Sequence, residues 1–240
     1  MVPKPLGGIA IKSPILSNSL ESFNSKAKHI LFFDPNLQDL DILFGCLSSG
    51  YKLIGVKSKS ELINNLTKLE LESVADINLL FHGYAGHICI GDDLIDKDFI
   101  EENKHIFNKL SSTSIKIFSC NVGQDLDFIK NLNIVSGADI FYSDTVVGHS
   151  NLGANWNLKK YSIESGITDA KNNIIPFSQS ALNEWNHILT VNLNDEDVDA
   201  YLAATPNGSI SDQISVSGVI TSAQAASLVG KISSVTANNY

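Results

Sequence analysis

The chain has 240 residues, 43% of them hydrophobic, enough for a substantial core and too many for wholesale disorder. Its 26 acidic and 17 basic residues leave a formal charge of −9, which disfavours a general nucleic-acid or anionic-membrane surface. Three cysteines cannot all pair within one chain, and no Cys/His cluster has zinc spacing, so neither a disulfide framework nor a metal is expected. No run approaches the roughly 18 apolar residues of a membrane span, and Met1 to Ser19 lacks the pattern of a secretory signal.

Residues 1–27, with several Pro, Gly, Ser and Asn, read as a flexible leader. His29 to Phe33 is a strand, broken at Asp34-Pro35-Asn36, and Leu37, Leu40, Leu43 and Leu47 then give an amphipathic helix. Cys46, in the apolar stretch Leu43 to Leu47, is expected to be buried filler. Tyr51 to Val56 is a second strand and Ser58 to Leu69 a second helix, with Ser60 as the candidate N-cap. A third strand ends at His82, followed by a hairpin-like piece over His87 to Ile95 and a helix carrying Ile100, Ile106, Phe107 and Leu110. A fourth strand ends at Cys120. Gln124 to Leu132 is helical, and Ile140 to Tyr142 is the fifth strand. Such β–α alternation predicts an α/β sandwich with a mostly parallel sheet covered by helices on both faces.

Gly148 to Glu164, with its alternating Trp156, Leu158, Tyr161 and Ile163, reads as a hairpin closing a domain over residues 28–166. Residues 167–186 read as a linker with a short helix. Residues 187–240 read as a small mixed α/β module, the first unit of an array: a strand near Leu189 to Leu193, helices over 195–204 and 221–231, and β-prone residues between them.

The chemistry gathers at two strand ends, His82-Gly83 and Ser119-Cys120. In parallel sheets catalytic groups collect at the carboxyl ends of strands, and a histidine beside a cysteine is a base–nucleophile pair. Gly83 leaves its N–H unshielded and suits one donor of an oxyanion hole, with the N–H of Cys120 as the second. The competing reading makes His82 a strand-end histidine bonded to backbone and Cys120 a small buried hydrophobe. His87 and Cys89 share a strand face and read as ordinary strand residues. No GxGxxG, Walker or GxSxG motif is present, against a nucleotide-binding or α/β-hydrolase site.

The stretches His82-Gly83-Tyr84-Ala85-Gly86, Ser119-Cys120-Asn121-Val122, Gly137-Ala138-Asp139, Ser143-Asp144-Thr145 and Gly153-Ala154-Asn155-Trp156-Asn157-Leu158 bring a family into view. The His-Gly and Cys strand ends resemble the caspase–gingipain–legumain superfamily of cysteine peptidases. The wording is closer to a bacterial domain-of-unknown-function family found near the N-termini of giant surface or secreted proteins with cadherin-like or haemolysin-type repeats. Ser119 departs from that family's glycine, and Ser-Asp-Thr stands where Ser-Thr-Asp is usual. The resemblance implies a caspase-like three-layer sandwich, Cys120 as nucleophile, His82 as base and no cofactor. Asp144 becomes a candidate for holding a basic substrate side chain. The expected substrate is a peptide or protein, the parent chain included, in a secreted or cell-surface setting. The alternative is an inactive domain of the same fold serving attachment or assembly.

Overall fold

The computed structural model describes residues 27–47, 50–91, 93–170, 175–189, 191–194, 213–217 and 234–237. The leader lies outside them except for Ala27, as do the helices read over 195–204 and 221–231. Strand β1 (His29–Phe33) leads to helix α1 (Leu40–Gly45), β2 (Tyr51–Gly55) and α2 (Lys59–Thr67). Next come β3 (Asp76–Leu80) and a meander of β4 (His82–Tyr84), β5 (His87–Ile90) and β6 (Asp93–Ile95). Helices α3 (Lys97–Glu102) and α4 (Lys104–Phe107) precede β7 (Ser114–Phe118), α5 (Leu126–Ser136) and β8 (Asp139–Tyr142). Strands β9 (Lys159–Ser162) and β10 (Gly166–Asp169), then α6 (Gln179–Glu184), complete this part.

Seven strands form one sheet in the order β10-β9-β8-β7-β3-β1-β2, parallel from β8 to β2 and antiparallel at the β9–β10 end. The fold is therefore α/β, with a large, mostly parallel sheet flanked by helices. The central strands β1, β3 and β7 are buried along nearly their whole length because both of their faces are covered. Their side chains alternate between two cores. Ile30, Phe32, Ile77, Leu79, Ile115 and Ile117 pack with α2 to α5, whereas Leu31, Phe33, Leu80 and Phe118 pack with α1, α6 and the chain around Trp156.

Several boundaries differ from the sequence expectation for local physical reasons. The cap of α2 is Ser58, not Ser60: its hydroxyl accepts the N–H of Glu61, and Glu61 in turn accepts the N–H of Lys57. The helix expected from Ile100 to Leu110 breaks at Asn103 into α3 and α4. The closing hairpin is β9–β10, so it starts later and runs past residue 166 to Asp169. Within the segment read as a linker over 167–186, residues 175–186 pack into the core, and the short helix expected there is α6. Phe177, Ala181, Leu182, Trp185, Ile188 and Leu189 are all buried in the second core, and Trp185 Nε1–H donates to the carbonyl of Gln38 at 2.8 Å. Cys46, expected to be buried, is exposed just past α1.

In the C-terminal module, β11 (Val191–Asn194), β12 (Gln213–Ser217) and β13 (Ser234–Ala237) form a parallel three-stranded sheet. The strand β13 lies beyond the helix expected over 221–231, where the sequence pattern marks no element.

Candidate active site

Registers place the two strand ends side by side. Leu80 of β3 is opposite Phe118 of β7, and Phe81 N–H donates to the carbonyl of Phe118 at 3.3 Å, so the pairing continues toward His82 and Cys120. Phe81 belongs to one core, and Leu80 and Phe118 to the other. By strand alternation His82 and Cys120 therefore fall on the same face as Leu80 and Phe118. His82 itself opens β4, where it stands opposite Cys89.

After Cys120 the chain turns sharply. Asn121 takes a left-handed conformation (φ 57°), which asparagine tolerates better than most residues. Only a three-residue 3-10 turn, Val122–Gln124, follows at once, and α5 begins later. The amide N–H of Asn121 is taken by Thr145 O and that of Gly123 by Ser143 O, at 3.0 and 2.9 Å. Both amides are thus bound within the fold. Gly83 is required by close approach: a Cβ there would lie 2.7 Å from Ser119 Cβ and 2.9 Å from Val122 Cγ2. The β4 backbone consequently presses against the loop that carries the thiol.

Thiol and imidazole meet at one group. Cys120 Sγ lies 2.8 Å from the carbonyl oxygen of Leu189, and the same residue's backbone accepts a hydrogen bond from His82. Val147 N–H also donates to Sγ, at 3.2 Å. Cys120 is 4% exposed and Leu189 is fully buried, so the segment carrying Leu189 roofs the thiol.

Burial holds the His82 pKa below its ordinary value near 6.5, partly opposed by the charge of Asp34 and by the Leu189 hydrogen bond. Its imidazole is therefore neutral near pH 7 and able to accept a proton. Nδ1 of His82 is buried without a hydrogen-bond partner among the described residues. Leaving such an atom unpaired costs about 1–3 kcal/mol. Stability does not explain that placement.

Asp34 was not singled out from the sequence, where it served only as a strand breaker. It follows β1, the neighbour of β3, is buried, and its N–H donates to Leu80 O at 3.2 Å. Three adjacent strand ends thus contribute Asp34, His82 and Cys120, and the strand-end rule that found the last two reaches the first as well. Leu189 and Val147 carried no sequence signal, since their contribution is backbone.

Asp144 lies beyond β8, and its carboxylate is bonded to the ammonium of Lys159. That partner raises the Lys159 pKa. A basic substrate side chain would have to displace Lys159 to reach it. No group of three or more His, Cys, Asp or Glu residues suited to a metal occurs among the described residues.

A family model described as a domain of unknown function, DUF4347, matches residues 30–189. The chain belongs to the DUF4347 family. The match spans the seven-stranded sheet and α6 and ends on Leu189, the residue seated on the thiol. No curated protein matches the chain. Within this DUF4347 domain the described residues contain no helix long and apolar enough to cross a membrane.

Proposed function

We propose that the DUF4347 domain is a cysteine endopeptidase module of caspase-like architecture, acting by acyl transfer through Cys120 and His82. The observation that carries this reading is the convergence of thiol and imidazole on one peptide carbonyl. The neutral imidazole takes the thiol proton, the thiolate attacks a peptide carbonyl, and water then hydrolyses the resulting thioester. The N–H groups of Gly83 and Cys120 are the proposed donors to the oxyanion. The chemistry calls for no cofactor, and the substrate is a peptide or protein. A surface or secreted setting, as part of a long repeat protein, rests on the sequence resemblance alone.

One observation favours a second reading, an inactive caspase-like domain used for attachment or assembly at the cell surface. The thiol is roofed by its own chain. The two readings separate on thiol reactivity. Because Cys46 is exposed, alkylation by iodoacetamide is best followed in a Cys46→Ser background, with the modified residue located by mass spectrometry. A peptidase predicts Cys120 modification that slows at least tenfold in His82→Ala. Equal rates in the two proteins, no faster than at buried Cys89, would sink it.

A further inference from the structure

Resting on that reading, we infer that the peptide bond on the carboxyl side of Leu189 is the domain's own cleavage site. Scission there frees everything from Thr190 onward, the parallel β11–β12–β13 module included.

The segment before that bond is held as an added strand. Ile188 bridges Gly148 in antiparallel fashion, His149 N–H donates to His187 O at 2.9 Å, and Leu189 N–H donates to Val147 O at 3.0 Å. Backbone pairing of this kind is how extended peptides are commonly seated on a sheet edge. The seat is written into the sequence at Gly148. A Cβ there would lie 2.5 Å from His187 O and 2.6 Å from Ile188 Cα, and the residue's φ of 147° suits glycine. Burial holds the segment as well, since Trp185, Ile188 and Leu189 are all buried apolar side chains. On the near side His187 Nε2 meets Asp39 Oδ2 at 2.7 Å.

The segment brings one carbonyl to the thiol. With Sγ 2.8 Å from the oxygen and a C=O bond of about 1.23 Å, the carbonyl carbon is at most about 4 Å from sulfur. Near-attack separations are about 3–3.5 Å. In the intact chain the oxygen faces the thiol. The peptide must first turn, carrying that oxygen toward the N–H groups of Gly83 and Cys120. His82 then removes the Sγ proton, and Sγ bonds to the Leu189 carbonyl carbon. The C–N bond to Thr190 breaks as the imidazolium protonates the departing nitrogen. Water adds to the thioester carbon, gives its proton to His82 and expels Sγ, which is reprotonated. One water is consumed, leaving a Leu189 carboxylate and a Thr190 amine. The side chain next to the scissile bond is leucine, seated among apolar residues that include Val147 and Ile188. The site so defined selects an apolar residue.

The test incubates the full 240-residue chain under reducing conditions and follows intact mass. The expected result is a pair of fragments, 1–189 and 190–240, absent in Cys120→Ser and His82→Ala variants whose circular dichroism matches the parent. Leu189→Asp should slow cleavage at least tenfold while speeding Cys120 alkylation, because the roof is loosened. A chain that stays intact, or is cut elsewhere, while Cys120 keeps its His82-dependent reactivity overturns the inference and leaves the peptidase reading standing. An intact chain whose Cys120 has no such reactivity overturns both.

Discussion

Asp34 and His82 stand at the carboxyl ends of neighbouring strands, and the charge of the first opposes the burial of the second. Burial dominates, so the imidazole rests neutral, but the carboxylate keeps its pKa from falling further. Asp34→Asn should therefore lower the His82 pKa, as read from its ring proton shifts in an NMR titration. An unmoved pKa would mean that Asp34 acts only through the turn it caps, where Oδ1 accepts the N–H of Asn36 at 2.8 Å.

Gly148 is expected to control access to the thiol. Gly148→Ala puts a methyl where His187 O and Ile188 Cα now lie, so the segment must lift off. Cys120 alkylation in a Cys46→Ser background should then accelerate at least tenfold, with self-cleavage slowed, since the substrate segment is no longer seated. Unchanged alkylation would show that the roof does not limit access.

Much of this arrangement was legible in the sequence because it depends on side-chain type and period. The runs Ile77 to Leu80 and Ile115 to Phe118 could only be strands buried on both faces, and strand ends are where ligating groups collect. The short helix in the linker read over 167–186 is α6, but the burial of residues 175–186 was missed because no period marks it. Their order comes from irregular backbone pairing with Val147 to His149 and from Trp185 reaching Gln38 across 147 positions of chain. Cys46 was misjudged for a related reason. Apolar neighbours predict burial only while the helix continues, and α1 stops at Gly45. The Leu189 contribution is a carbonyl, which every residue carries, so no composition or motif could mark it.

Gly123 offers a test of how tightly the Cys120 loop is built. A Cβ at this position would overlap the Tyr142 ring at 2.0 Å, and the residue's N–H is bonded to Ser143 O. Gly123→Ala should destabilise the fold by about 1–3 kcal/mol, the usual cost of overpacking a filled site. The measurement is the urea midpoint at constant m-value. Loss of self-cleavage should accompany it, because the loop carrying the thiol must shift. A midpoint within error of the parent would show that Tyr142 swings away at no cost.

The depressed pKa of His82 also fixes a sign for the pH dependence of stability. As pH falls below about 6.5, the unfolded chain binds a proton at this histidine before the folded chain does. In that window the unfolded state holds more protons, so stability falls with falling pH, by up to about 1.36 kcal/mol per unit from this one group. Below the folded-state pKa the two states bind equally and the loss stops growing. Replacing the histidine with an apolar group removes the term, so His82→Leu should lose less stability than the parent between pH 6.5 and the folded-state value. The difference between their denaturation midpoints, measured across pH, isolates His82 from the other histidines. Parallel curves would mean that the folded-state pKa of His82 is not depressed, and burial would then not be what keeps its imidazole neutral.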